Sequence, residues 1–151
     1  LVYCMSGYKG YSLLALSPSA RGDITNSYQL VWRKNKGTPY IPSLLLYEGK
    51  LYFLKSNQSF LSCLDTKTGE AFYENVRLPE VANVYSSPVG AAGRVYITGR
   101  NGVTLVLTRS QEFAILATNE LDDQFRASPA LAGKELFLRG SKFLYCIAEK
   151  D

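Results

Sequence analysis

Apolar residues fall in short runs of four to six, each closed by polar, glycine or proline residues. The runs lack the three-to-four-residue spacing of an amphipathic helix, and they are rich in Leu, Val, Tyr and Phe. The pattern therefore predicts strands throughout. Four segments read apolar, aromatic, apolar: Val2-Tyr3-Cys4, Leu51-Tyr52-Phe53, Val95-Tyr96-Ile97 and Leu136-Phe137-Leu138. Their aromatic residues stand at 3, 52, 96 and 137, so the intervals are 49, 44 and 41 residues. Gly49, Gly93 and Gly133 precede three of them, each followed by a charged residue. A second apolar segment follows every one: Leu14-Ala15-Leu16, Ser62-Cys63-Leu64, Leu105-Val106-Leu107 and Tyr145-Cys146-Ile147. A third follows in three units, at Leu30-Val31-Trp32, Phe72-Tyr73 and Ile115-Leu116. The segments Ile41-Pro42-Ser43, Ser87-Pro88-Val89 and Ser128-Pro129-Ala130 then open the next unit.

A period of 40–50 residues with four strands per unit is the signature of a β-propeller blade. Leu51-Tyr52-Phe53-Leu54 and Leu105-Val106-Leu107 do not alternate with polar residues, as they would in a sheet with one wet face. Blades pack on both faces, so near-continuous apolar strands fit. The expected architecture is all-β: four-stranded antiparallel blades, about three and a half of them, forming a partial ring. The whole chain, 1–151, is one propeller region with units at 1–40, 41–86, 87–127 and 128–151. It is expected to be an internal or C-terminal arc of a larger ring, with blade faces exposed at both ends. A β-sandwich is the alternative fold.

Composition narrows the chemistry. The 151 residues are 46% apolar, which suits a packed core rather than a disordered tail. The longest apolar runs, Leu13–Leu16 and Leu44–Tyr47, fall far short of the ~20 residues of a membrane helix, so no transmembrane segment is expected. There is no histidine, which removes Ser-His-Asp and Cys-His nucleophile pairs and His-ligated metals from this chain. The three cysteines, Cys4, Cys63 and Cys146, form no C-x-x-C pair, which argues against structural zinc. Each occupies an apolar column of the repeat, so all three are expected to be buried, inert thiols.

Unit two reads Cys63-Leu64-Asp65-Thr66-Lys67-Thr68-Gly69-Glu70-Ala71-Phe72-Tyr73. Asp65 can accept backbone N–H groups at the start of a tight turn, and Gly69 can take positive φ at its end. This stretch resembles the A-x-D-x-x-T-G-x-x-x-W repeat of the PQQ-like (quinoprotein-like) β-propellers, with Cys63 in the Ala place and Tyr73 in the Trp place. Unit one keeps Ala15 and Trp32 around a corner enlarged by the polar insert Ser17–Asn26. Unit three keeps only the spacing, with Thr108, Glu112 and Leu116 in the Asp, Gly and Trp places. The resemblance implies that Trp32 and Tyr73 pack between blades and do no chemistry.

The resemblance also frames the function. The family includes BamB-type outer-membrane assembly lipoproteins, which implies a non-catalytic scaffold that binds protein partners, exported or periplasmic, with no cofactor. The alternative is a fragment of a PQQ-dependent quinoprotein dehydrogenase, which would hold PQQ and Ca²⁺ on Glu, Asn and Asp ligands beside adjacent cysteines. Here no cysteines are adjacent, and the paired acids Asp122-Asp123 lie in a connecting segment, where acids are usually solvated. Nucleic-acid binding is disfavoured despite the net charge of +4, because the tyrosines sit in strand columns and Arg33-Lys34-Asn35-Lys36 is too short a basic run. Lys55, Arg100 and Arg139 fall at corresponding strand ends, with Asn57, Asn101 and Lys142 nearby. They are expected on one rim, as a weakly basic face; its use is either solubility and protection of the strand ends, the commoner role of surface charge, or docking of an acidic partner segment.

Overall fold

The computed structural model describes residues 1–7, 11–55 and 58–148. Among the described residues, fourteen strands form four separate antiparallel sheets. Sheet one is β1 (Val2–Ser6), β2 (Ser12–Leu16) and β3 (Leu30–Lys34). Sheet two is β4 (Leu45–Tyr47), β5 (Lys50–Leu54), β6 (Phe60–Asp65) and β7 (Ala71–Arg77). Sheet three is β8 (Val89–Ala91), β9 (Arg94–Thr98), β10 (Val103–Thr108) and β11 (Ile115–Glu120). Sheet four is β12 (Ala130–Ala132), β13 (Glu135–Arg139) and β14 (Leu144–Ile147). Each sheet is a simple meander in sequence order, which is the blade topology of a partial propeller.

The predicted apolar strands are buried on both faces. Leu51, Tyr52, Phe53 and Leu54 of β5 are all fully buried, as are Leu61, Cys63 and Leu64 of β6. Strand β10 is buried from Val103 to Leu107. Alternate residues serve opposite junctions. Leu51, Phe53 and Leu64 pack with Leu13 between sheets one and two. Tyr52, Leu54, Leu61 and Cys63 pack with Val95, Ile97, Leu105 and Leu107 between sheets two and three. Two-sided burial explains why these strands carry no polar alternation.

The β4–β5 and β8–β9 hairpins turn through Glu48-Gly49 and Ala92-Gly93, all at positive φ, the conformation that two-residue hairpin turns demand. Because strands alternate in direction, the β5–β6, β9–β10 and β13–β14 loops share one rim with the sheet-to-sheet connections. The β2–β3, β6–β7 and β10–β11 corners share the opposite rim.

Candidate functional site

Repeat residues lie at the sheet junctions, and the β6–β7 corner is built as its sequence directs. Asp65 Oδ1 accepts the Lys67 and Thr68 N–H groups at 2.8 and 2.9 Å, and the Gly69 N–H closes onto the Asp65 carbonyl at 3.0 Å. The N–H donors of Thr68 and Lys67 hold the Asp65 carboxyl below its ordinary pKa. Thr68 Oγ1 accepts the Glu70 N–H at 3.1 Å. Gly69 sits at φ +74° directly against sheet one: a Cβ there would stand 2.7 Å from Trp32 Cδ2. The Trp32 indole N–H and the Tyr3 hydroxyl both donate to the Thr66 carbonyl at 3.0 Å. The two rings lie 5.9 Å apart. Trp32 is thus a docking residue, half-buried on the corner of the next sheet.

Tyr73 holds the equivalent place at the next junction. It packs edge-on to Phe113 of the β10–β11 corner, with ring centroids 5.8 Å apart. The strand register places Ala15 opposite Trp32 and Cys63 opposite Tyr73. In sheet three Val106 stands opposite Ala117, so Ala117 and not Leu116 occupies the Trp place. The corner there spans 109–114, one residue longer than 66–70, and this shifts the register. Leu116 points to solvent instead, 54% exposed.

Only one cysteine is buried. Cys63 is sealed between sheets two and three, and burial raises its thiol pKa to about 11. Burial likewise raises the Tyr52 and Tyr73 phenols beside it. Cys4 and Cys146 are exposed, contrary to expectation. Their columns face inward only where a further sheet covers them, and none packs on those faces of sheets one and four among the described residues.

The rim residues are placed unequally. Lys55 is exposed and forms an isolated bridge with Pro39 of the preceding connection. Arg139 is exposed at the end of β13. Arg100 is half-buried, with Nε and Nη2 each 3.4 Å from Gln124 Oε1. Asn57 lies outside the described residues. Asn101 is occupied, accepting the Ala82 N–H at 3.1 Å and donating to the Glu80 carbonyl at 2.8 Å. Lys142 pairs with Asp122 at 3.1 Å. An open cleft of about 680 Å³ beside Asn101 and Lys142 is lined by Glu120 and Asp122 as well, so this rim carries both signs of charge.

Asp123 was missed. It is not solvated but 6% exposed. Its carboxylate accepts the N–H groups of Gln124, Ser141, Lys142 and Phe143 and the Tyr145 hydroxyl, at 2.7–3.2 Å. Burial would raise its pKa, but the N–H donors outweigh it and leave the pKa lowered. Asp123 thereby pins the β13–β14 loop of sheet four to the connection leaving sheet three. Gly140 leaves room for the carboxylate: a Cβ there would stand 2.1 Å from Asp123 Oδ2. A third link runs through the Pro-bearing segments. The Ser43 N–H donates to Ser87 Oγ at 2.9 Å, and the Ser87 N–H to Ser128 Oγ at 2.8 Å.

Four meander sheets docked face to face through these corners define an arc of a β-propeller. Solved structures share that fold. BamB from Moraxella catarrhalis superposes with a TM-score of 0.69 at 16% identity, over 94% of this chain and 41% of that one. A europium-containing methanol dehydrogenase superposes with a TM-score of 0.56 at 14% identity, over 78% of this chain and 22% of that one. The chain thus spans about two-fifths and one-fifth of these proteins' lengths. No protein-family model and no curated protein sequence matches it.

Proposed function

We propose that this chain is part of a non-catalytic PQQ-like propeller that serves as a protein-interaction or structural scaffold in the cell envelope. One observation carries the reading: the likeness to BamB extends over 94% of the chain. The polar groups agree with it. Asp65, Asn101 and Asp123 are spent on backbone N–H groups that hold turns and junctions together. Fold alone does not fix activity, so the test is direct. Lys55→Glu with Arg139→Glu in the intact protein should weaken partner binding most at low salt, since exposed charges steer association through a screened field. Unchanged binding would remove the rim from the reading. The second reading, part of a quinoprotein dehydrogenase, draws on the methanol dehydrogenase likeness. Tight binding of PQQ with Ca²⁺ to the intact protein, together with dye-linked alcohol oxidation, would establish it in place of the scaffold.

A further inference from the structure

The sheet junctions are not equally filled. The register matches them position by position: Tyr52 pairs with Cys63 and Leu54 with Leu61 in sheet two, and Tyr96 pairs with Val106 and Thr98 with Thr104 in sheet three. Leu54 and Leu61 lie in the apolar cluster between sheets two and three. Their counterparts in sheet three, Thr98 and Thr104, are hydroxyls bonded to each other at 3.0 Å. Ala117 stands where Trp32 and Tyr73 dock the other two junctions. A cleft of about 330 Å³ is left between Tyr96, Thr104 and Val106 of sheet three and Leu136, Leu138 and Ile147 of sheet four. Among the described residues, neither buried apolar cluster includes a residue of sheet four.

Position at one end of the arc does not explain this. Among the described residues sheet one is likewise covered on one face only, yet its Leu13 and Ala15 are fully buried and its Tyr3 and Trp32 donate to sheet two. In the strands of sheet four Leu138 alone is buried. The bonds around Asp123 do not supply the missing grip, because they tie the connection to sheet four itself. Asp123 holds the Ser141 and Lys142 N–H groups, the Ser141 hydroxyl donates to the Gln124 carbonyl, and the Phe125 and Tyr145 rings lie 5.7 Å apart. Toward the rest of the protein run the Phe125 N–H to the Arg100 carbonyl at 3.3 Å, the Arg100 guanidinium to Gln124 at 3.4 Å and the Ser87 N–H to Ser128 Oγ at 2.8 Å.

We infer that sheet four and its connection, residues 122–148, open from sheet three as one unit while sheets one to three stay closed. Low burial and sparse bonding across a junction make a part of a protein the first to open. Opening bares Tyr96, Val106, Leu136 and Leu138, an apolar face that the closed protein covers. Native-state hydrogen exchange on the intact protein tests this. Strands β13 and β2 are matched reporters, since each is the central strand of a three-stranded sheet. Backbone amides of β13 should exchange about tenfold faster or more than those of β2. In sub-denaturing urea the amides of β12, β13 and β14 should converge on one opening free energy, below that of β2, β5 and β6. These two readouts use the unsubstituted protein and stand on their own. Trp32→Leu should then speed exchange in β2 and leave β13 unchanged, because opening sheet four leaves the first junction whole. Equal protection of β13 and β2, β12–β14 amides that exchange independently of one another and of urea, or Trp32→Leu speeding β2 and β13 alike would each overturn the separate unit.

Discussion

Gly69→Ala isolates what holds sheet one to sheet two. Two costs are separable. At φ +74° any Cβ meets its own backbone, worth roughly 1 kcal/mol. The new methyl would also stand 2.7, 3.0 and 3.1 Å from Trp32 Cδ2, Cε3 and Cε2, and overpacking of this kind costs about 1–3 kcal/mol. Gly49 supplies the control: its φ is +77°, but nothing lies within 4 Å of its would-be Cβ. Gly49→Ala should therefore cost only about 1 kcal/mol, and Gly69→Ala roughly 2–4 kcal/mol. For a chain of this size that is a fall in melting temperature of about 5–15 °C. Thermal and urea melts of both variants, repeated in a Trp32→Leu background, complete a double-mutant cycle. In that background the Gly69→Ala penalty should shrink toward the Gly49→Ala value. Equal penalties at the two glycines, or a Gly69→Ala penalty that survives the loss of the indole, would refute the docking geometry.

Three further outcomes follow from the same geometry. The Asp123 carboxyl is held below its ordinary pKa, so its stabilisation is full above the unfolded value near 4 and is lost as pH falls through the lower folded value. Asp123→Asn should therefore lower stability at pH 7 and flatten the loss of stability below about pH 4; an unchanged acid limb in pH-dependent melts would refute this. Ala92 sits at φ +48° in the β8–β9 turn, and Ala92→Gly should raise stability by about 1 kcal/mol in urea melts. A thiol reagent at pH 8 should label Cys4 and Cys146 in the native protein and Cys63 only after unfolding, as its burial and raised pKa require; three fast thiols would contradict the sealed junction.

The sequence discloses what is local and hides what is not. The aromatic column at Tyr52, Tyr96 and Phe137 is legible because each residue marks the middle of its own strand. The Asp65–Gly69 corner is legible because the bonds that shape its turn, those of Asp65, Thr68 and Gly69, close within five residues. Asp123 is illegible because its partners Ser141, Lys142 and Phe143 lie 18–20 residues away and arrive through another sheet. Cys4 and Cys146 mislead for a related reason: a column in a repeat predicts a face, but burial needs the neighbouring sheet as well. The Leu116 assignment fails by one position because an added corner residue shows only when strands are paired.

The junctions explain why the fold is plain where the sequence is nearly mute. At each one the fixed partner is backbone: the Thr66 carbonyl for Trp32 and Tyr3, the Glu80 carbonyl and Ala82 N–H for Asn101, the 141–143 N–H groups for Asp123. Any sequence supplies those groups once the strands pair. The side chain that meets them can therefore change from junction to junction. An indole on the Thr66 carbonyl serves between sheets one and two, and an amide on the Glu80 carbonyl and Ala82 N–H serves between sheets two and three. Sheets docked this way keep their arrangement under different side chains, in keeping with a TM-score of 0.69 at 16% identity. The same logic separates structure from function within the chain. Residues at repeating positions are committed to holding sheets together. What distinguishes this propeller from another with the same fold must come from the departures, and the largest departure described is the insert at 17–29, closed at its base by the Ser17 N–H on the Gln29 carbonyl.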